Sequence, residues 1–125
     1  MRLLLDTHAL LWSLGSPAEL ATPARKSIED GQNDVLVSAA SIWEIAIKRA
    51  KGCLRAPDDL EAALATTGLV ALPITVSHAI AASALPPHHA DPFDRMIVAQ
   101  AILEGLTVVT RDRRFEAYGV PTLVA

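Results

Sequence analysis

The sequence contains very little of what several familiar kinds of site require. Cys53 is the only cysteine among 125 residues, which excludes an internal disulfide and a cysteine-rich zinc site. No apolar run approaches the roughly 20 residues that a membrane-spanning helix needs. The apolar stretch at residues 3–5 is interrupted by Asp6 and His8, and no small-residue cleavage site follows it, so it does not have the form of a signal peptide. We therefore expect a cytoplasmic protein without a membrane segment.

The sequence also has little net charge. The formal net charge is −3, so the chain lacks the global basic signature of many nucleic-acid-binding proteins. Its basic residues include two local clusters, one of Lys48, Arg49, Lys51 and Arg55 and the other of Arg111, Arg113 and Arg114. Charge runs of this kind are most often solvated helix ends and loops, so on their own they indicate no function.

Aliphatic residues, in contrast, are abundant. Hydrophobic residues make up 51% of the chain and aromatic residues only 4%, which is typical of helices packed on a small aliphatic sheet. The length corresponds to one domain, residues 1–125. Short apolar runs predict strands at 2–5, 35–37, 69–72, 107–109 and 122–124. Helical patterns lie at 8–14, 22–30, 38 or 41 to 51, 58–67, 76–85, 91–104 and 113–118. This alternation predicts an α/β fold, with a small and mostly parallel sheet flanked by helices on both faces.

Two aspartates follow predicted strands. Asp6 comes directly after the strand at 2–5, and Asp112 lies three residues beyond the strand at 107–109. Ligand sites of open parallel sheets lie beyond the carboxyl ends of the strands, so both side chains are expected at one edge. Asp112 could equally be a simple turn residue. A carboxylate directly after a wholly apolar strand, however, is rarely there for structure, which makes Asp6 the strongest candidate.

Two further acids are placed on helices and have structural interpretations as well. Glu44 and Lys48 have the i,i+4 spacing of an ordinary surface ion pair, although the apolar residues around Glu44 leave only a narrow polar stripe. Asp94 is at the third position of the helix that precedes the fourth strand, where the helix N-terminus stabilises an acid. For Asp91, just before that helix, a capping role is favoured over a role in the site.

Taken together, these carboxylates predict a cation site. Several acids at one sheet edge repel one another and raise one another's pKa values, and a divalent cation removes that conflict. Oxygen ligands without cysteine or a helical histidine pair favour Mg²⁺ or Mn²⁺ over zinc. Such ions suit phosphate chemistry, because they leave positions for water and for phosphate oxygens.

Threonines and histidines near the acids are weaker candidates. Thr7 and Thr110 lie beside carboxylates and could hydrogen-bond a bound water or order the site. His88 and His89 lie in a proline-rich loop and could contact phosphate or assist a proton transfer, although an exposed loop histidine usually does neither. The role of His8, next to the Asp6 segment, is similarly open.

Four segments of the sequence resemble a known family. They are LLLDTHALLW at 3–12, SAASIWEIAIK at 38–48, DPFDRMIVAQA at 91–101 and TRD at 110–112. In this order they resemble the PIN domain of VapC-type toxins, and the match runs along nearly the whole chain. Each segment alone is weakly specific, but the combination is specific, and the acidic pattern shows no departure. The family's metal-binding acids correspond to Asp6, Glu44, Asp94 and Asp112, with Asp91 as an outer member.

The resemblance implies a function and partners that composition and periodicity do not reveal. It implies a Mg²⁺- or Mn²⁺-dependent endoribonuclease that is the toxin of a type II toxin–antitoxin pair. It further implies a homodimer and a cognate VapB-like antitoxin whose C-terminal segment wraps the toxin and blocks its active site. DNA would be reached only indirectly, through the antitoxin.

These expectations lead to a mechanistic hypothesis. A metal-activated water attacks an RNA phosphodiester in line and leaves a 5′-phosphate and a 3′-hydroxyl. Asp6 and Asp94 would be the principal metal ligands, and Glu44 and Asp112 would complete the site directly or through water. Single-stranded or loop RNA is the expected substrate, because its bases can be splayed out for recognition. The candidates for contacts with RNA phosphates are Lys48, Arg95, Arg111 and Arg113.

Three other functions would also place acids at the edge of a sheet or use the same fold. A phosphoacceptor domain of the receiver type needs an aspartate directly after the third strand, where Pro73 stands instead. A haloacid-type phosphatase needs an aspartate two residues after Asp6, where His8 stands. A non-catalytic module of the same fold that only binds RNA or protein stays open, and metal-dependent cleavage is the observation that separates it from a nuclease.

Overall fold

The computed structural model describes all 125 residues, and its helices and strands alternate as the sequence predicts. The strands are β1 (Arg2–Leu5), β2 (Asp34–Ser38), β3 (Val70–Leu72), β4 (Thr107–Thr110) and β5 (Thr122–Val124). The α-helices are α1 (Thr7–Gly15), α2 (Thr22–Glu29), α3 (Ala39–Ala50), α4 (Leu60–Thr67), α5 (Val76–Ala84) and α6 (Pro92–Glu104). Two short 3-10 helices span Pro17–Glu19 and Arg113–Tyr118. None of the helices is both long and apolar enough to pass through a membrane.

All five strands form one sheet in the order β3-β2-β1-β4-β5, and every neighbouring pair is parallel. In the register of the central strand, Leu5 faces Val37 on one side and Val109 on the other. The predicted α/β class is confirmed, and the sheet is wholly rather than mostly parallel.

Helices cover both faces of the sheet. Successive strand residues point to opposite faces, so each strand contributes side chains to both helix layers. Leu3 and Leu5 join a core cluster with side chains of α1 to α4, including Leu10 and Ile45. Leu4, which lies between them in β1, joins a second cluster with α6 and Phe115. The apolar run of β1 is therefore continuous because its strand is buried on both faces.

Side chains at helix ends account for several element boundaries. Ser38 caps α3 by accepting a hydrogen bond from the backbone N–H of Ala40, which decides between the two predicted starts of that helix. Gly105 ends α6 with a φ of 66°, a left-handed conformation that favours glycine. The pair Thr22-Pro23 predicts an N-cap at Thr22 with proline at the first helical position, and this prediction was wrong. Thr22 is the first helical residue, and the cap position is Ala21, which has no side-chain hydrogen bond to offer.

The connectivity places a crevice between β1 and β4. The chain runs outwards from β1 through β2 to β3, and then crosses to the other side of β1 to form β4 and β5. The strand order therefore reverses between β1 and β4. Ligands of open α/β sheets bind in the crevice beyond the carboxyl ends of the strands at such a switch point.

Candidate active site

A cleft of about 410 Å³ opens at the carboxyl ends of β1 and β4. It is lined mainly by polar and charged side chains, and all four carboxylates that the sequence singled out contribute to it. The lining residues are Asp6, Thr7, His8, Trp12, Glu44, Lys48, His89, Ala90, Asp91, Asp94, Arg111, Asp112 and Arg114. The fold thus brings together acids that are more than 100 positions apart in the sequence.

Asp6 is held in the cleft by two hydrogen bonds. It caps α1, so its Oδ1 accepts a hydrogen bond of 2.8 Å from the backbone N–H of Ala9. Its Oδ2 accepts a hydrogen bond of 2.6 Å from the Thr110 hydroxyl. Burial raises the pKa of Asp6, and these two hydrogen bonds partly counteract that effect by stabilising the charged form. The carboxylate therefore has one fixed orientation at the floor of the cleft.

Glu44 reaches the cleft from α3 and is held by two side chains. Its Oε1 accepts a hydrogen bond of 2.5 Å from the Thr7 hydroxyl, and its Oε2 accepts one of 2.6 Å from Lys48 Nζ. The i,i+4 ion pair is therefore real, but it is not an ordinary surface pair, since Glu44 is buried and both residues line the cleft. The Thr7 hydroxyl and the Lys48 ammonium group therefore each hold one oxygen of the Glu44 carboxylate.

Asp91 and Asp94 lie at the start of α6. Asp91 is the cap, and its Oδ1 accepts hydrogen bonds from the backbone N–H groups of Phe93 and Asp94. Burial is the main cause that raises the pKa of Asp94 to about 7. The remaining cause is repulsion from the nearby carboxylates, which are those of Asp91, Asp6, Glu44 and Asp112. Asp94 therefore experiences the crowding of negative charge that a cation would relieve.

Asp112 has the opposite electrostatic environment. Its carboxylate accepts hydrogen bonds from Arg114 Nε and Nη2, and it caps the 3-10 helix through the backbone N–H of Arg114. These bonds, with a further one from His89, hold the pKa of Asp112 well below its usual range. Two carboxylates of one cleft thus have pKa values displaced in opposite directions, a pattern typical of functional sites.

His89 lies between these two carboxylates. Its Nε2 is 3.0 Å from Asp94 Oδ2 and 2.9 Å from Asp112 Oδ2, and the ring is buried. Its Nδ1 accepts a hydrogen bond of 3.1 Å from the backbone N–H of Asp91. A neutral imidazole has one N–H and one lone pair, so this contact places the proton on Nε2. His89 therefore donates to the two carboxylates.

The residues present fit a hard divalent cation. Ligand atoms of His89, Asp94 and Asp112 lie within 4.8 Å of one another, which is close enough for a shared ion. The tautomer of His89 removes its Nε2 lone pair from that set, which leaves carboxylate oxygens as the donors. Oxygen donors in a negatively charged cleft suit Mg²⁺ or Mn²⁺.

Both predicted threonines and two of the four cations predicted to contact RNA lie at the cleft, whereas the other two cations lie outside it. Thr7 and Thr110 each donate to a cleft carboxylate, and Lys48 and Arg111 line the cleft. Arg113 is exposed and lies outside the cleft lining. Arg95 also lies outside it, and its guanidinium donates to backbone carbonyls of the segment that ends α5, namely those of Ala82, Leu85, Pro86 and His89.

Two cleft residues were underrated or missed at the sequence level. The sequence indicates His89 as an exposed loop histidine that could contact phosphate or assist a proton transfer, whereas the structure buries it, and the only signal for this was its place two residues before Asp91. Arg114 was noted only within a charge cluster. Its two-residue distance from Asp112 at the start of a helical piece could have predicted the contact.

Comparison with known proteins identifies related sequences. Residues 3–121 match the family model of the PIN domain. Ribonuclease VapC22 of Mycobacterium tuberculosis is 35% identical over 126 residues, an alignment that covers 94% of this chain and 92% of that protein. The family match thus extends from β1 through β4, and all four carboxylates of the cleft lie within the matched residues.

Solved structures share the fold at lower sequence identity. The crystal structure of VapBC2 from Rickettsia felis bound to a DNA fragment from its promoter superposes with a TM-score of 0.69 at 14% identity, covering 98% of each chain. That of DNA-bound VapBC from Salmonella typhimurium gives a TM-score of 0.66 at 22% identity, covering 98% of this chain and 97% of the other. At these identities the likeness concerns the fold.

Proposed function

The chain belongs to the PIN-domain family, and on that premise we propose that it is a metal-dependent endoribonuclease, the toxin of a VapBC-type toxin–antitoxin pair. The observation that carries the proposal is the convergence of Asp6, Glu44, Asp94 and Asp112 in one cleft. The ribonuclease relative supports RNA as the substrate. The crowding of charge that raises the pKa of Asp94 supports a bound cation.

In this proposal the four carboxylates hold Mg²⁺ or Mn²⁺, with Asp6 and Asp94 as principal ligands. When bound, the ion supplies an activated water and stabilises charge on the scissile phosphate. Thr110 and Thr7 keep the carboxylates of Asp6 and Glu44 in one orientation through their hydrogen bonds. Such preorganisation matters because a small displacement of catalytic groups reduces the rate strongly.

Positive charge at the cleft supports binding of a polyanion. Lys48 and Arg111 lie on the cleft wall, where they offset the repulsion between the carboxylates and an RNA phosphate. His89 donates its Nε2–H to Asp94 and Asp112, and it would fix the orientation of these two carboxylates in the cleft. Arg114 covers Asp112 from the solvent side.

The test is cleavage of single-stranded RNA by the purified protein with Mg²⁺, with Mn²⁺ and with a chelator. We expect cleavage only with metal. Asp6→Asn and Asp94→Asn should abolish it while circular dichroism shows an unchanged fold, and the matched control Asp58→Asn, on an exposed residue outside the cleft, should cleave normally. Full activity of either cleft variant would refute the assignment. Metal-independent RNA binding without cleavage by the wild type would favour the non-catalytic module.

We extend the proposal to partners, beginning with a VapB-like antitoxin. Its support is that two solved structures that share this fold are VapBC complexes bound to DNA. DNA would then be contacted by the antitoxin and only indirectly by this chain, and the complex would act in the cytoplasm. We expect a small upstream reading frame that encodes a DNA-binding protein. The test is to express that protein together with this chain and to purify one of them. Failure of the two to co-purify would contradict the pairing.

A homodimer is the second partner expectation, and exposed apolar side chains support it. Val76 and Ile80 are 77% and 65% exposed on α5, and Trp43 is 64% exposed on α3. Val76 and Ile80 are one helical turn apart, and contiguous exposed apolar side chains commonly mark protein interfaces. Light scattering should give twice the chain mass, and the double variant Val76→Ser with Ile80→Ser should give the mass of one chain.

A further inference from the structure

Trp12 lies between the acidic cleft and a second depression on the surface. It lines the cleft, and it also lines a depression of about 440 Å³ together with Leu11, Arg55 and Pro57. This volume is within the roughly 300–1,000 Å³ typical of small-molecule sites. A polymer that passes out of the cleft on this side would cross Trp12 and enter the depression.

The side chains around Trp12 form a stacked arrangement that we call the aromatic rim, consisting of His8, Trp12 and Arg111. His8 and Trp12 occupy i and i+4 positions of α1, and their rings stack with centroids 5.7 Å apart and an interplanar angle of 23°. The guanidinium carbon of Arg111 lies 4.2 Å from the centroid of the Trp12 ring. Backbone carbonyls of Glu19 and Ala125 hold that guanidinium in place. The rim is therefore a stack of flat groups next to the carboxylates, in which backbone contacts hold Arg111.

Structural roles do not account for every part of this surface. Trp12 packs partly against the main core cluster, but His8 is exposed and makes no hydrogen bond. Arg55 is exposed and forms neither an ion pair nor a hydrogen bond, whereas Lys48 and Arg114 are paired with cleft carboxylates. The depression is therefore lined both by Trp12, a member of the rim, and by an unpaired cation, Arg55.

We propose that the aromatic rim and the depression bind the nucleoside adjacent to the scissile phosphodiester of single-stranded RNA. A nucleobase stacks on the exposed ring of His8 beside Trp12, and a phosphate farther along the strand lies near Arg55. This inference rests on the proposed ribonuclease function. The rim lies between the acidic cleft and the unpaired cation Arg55. Bases stack on aromatic and guanidinium planes, and cations bind phosphates, so this arrangement matches the alternating bases and phosphates of a single strand. The occupant is therefore RNA rather than a peptide.

The test uses a matched pair of variants at His8, whose exposure makes its replacement harmless to the fold. His8→Ala should raise KM for RNA by roughly 5- to 150-fold, the range of one lost base–aromatic stack, with a smaller change in kcat. His8→Phe should restore KM, since it keeps an aromatic plane and removes any proton transfer. His88→Ala is the control, because His88 also contacts an aromatic ring but lies outside the cleft.

RNA with a single abasic nucleotide, placed in turn on each side of the mapped cleavage position, locates the base. At one position the abasic site should raise KM of the wild type as much as His8→Ala does, and it should have no further effect on that variant. Arg55→Ala should reduce the slope of log affinity against log salt by about 0.7, whereas Lys26→Ala, on a distant exposed residue, should not.

The outcomes separate this inference from the function on which it rests. If the wild type cleaves RNA but His8→Ala leaves KM unchanged, or if the variant and the abasic effects multiply at every position, the inference is wrong and the nuclease stands. If His8→Ala cleaves RNA like the wild type but binds an antitoxin peptide with lower affinity, the rim is a peptide site and the inference is also wrong. If the wild type cleaves no RNA, both proposals fail.

Discussion

Thr110 donates a hydrogen bond of 2.6 Å to Oδ2 of Asp6, across 104 positions of the sequence. The contact exists because β1 and β4 are neighbours in the sheet, with Leu5 paired to Val109 immediately before the two residues. Thr110 Oγ1 also accepts the backbone N–H of Asp112 at 3.0 Å. A single hydroxyl therefore connects the carboxylate of Asp6 with the backbone of Asp112.

Replacing Thr110 by valine should remove both contacts while keeping the shape of the side chain. We expect the free energy of unfolding to fall by about 1–2 kcal/mol, because the buried Asp6 loses a donor, and kcat to fall because its carboxylate can rotate. Urea unfolding and single-turnover cleavage measure the two effects. Thr110→Ser should recover both quantities, and a valine variant with wild-type stability and rate would contradict this account.

His89→Ala should weaken metal binding although His89 is not proposed as a ligand. Loss of a residue that orients ligating carboxylates typically costs about 10–100-fold in metal affinity. Titration calorimetry with Mn²⁺ measures the change, and His89→Gln, which keeps an N–H donor, should recover part of it. His88→Ala serves as the neighbouring control. Unchanged Mn²⁺ affinity of the alanine variant would show that Asp94 and Asp112 need no such support.

The metal-free protein should lose stability as the pH rises. The pKa of Asp94 is raised to about 7 in the folded state, so between about pH 4 and 7 the folded chain binds a proton that the unfolded chain has released. Its free energy of unfolding therefore decreases through that window. The expected decrease is about 1–2 kcal/mol, less than the whole shift implies, because part of the side chain is exposed to screening solvent.

Urea unfolding at pH 5 and pH 8 in a chelator tests this dependence. Asp94→Asn should be less sensitive to pH than the wild type, and its stability advantage should be largest at pH 8. Saturating Mg²⁺ should remove most of the difference, since the cation stabilises the charged carboxylate. If the metal-free wild type is more stable at pH 8 than the metal-free Asp94→Asn variant, the proposed charge crowding is excluded.

Arg95 and Lys48 should behave differently although both were predicted to contact RNA. Arg95→Ala should lower the free energy of unfolding by about 1–3 kcal/mol, because it leaves backbone carbonyls at the end of α5 without a donor. Lys48→Ala should chiefly raise KM and reduce the salt dependence of RNA binding. Thermal unfolding and KM measured for the two variants together provide the comparison. A raised KM with intact stability in Arg95→Ala would return that residue to the RNA surface.

Local patterns predicted the secondary structure well. Strand β1 follows from its apolar run and the start of α6 from Asp91 with Pro92, because strand burial and helix capping are properties of neighbouring residues. The cap of α2 was mispredicted because proline is compatible with more than one position in the first helical turn, so Thr22-Pro23 does not determine which residue precedes the helix.

The environment of each acid could not be predicted in the same way. The sequence determined that Asp6 ends a buried strand and that Asp94 lies in a first helical turn, since both depend on adjacent residues. Only the tertiary structure decided that His89 is buried between Asp94 and Asp112, that Arg95 binds backbone instead of lining the cleft, and that Trp12 lines both the cleft and a second depression. The physical reason is that burial and electrostatic interactions depend on distance in space, and here the distances are set by the reversal of strand order between β1 and β4.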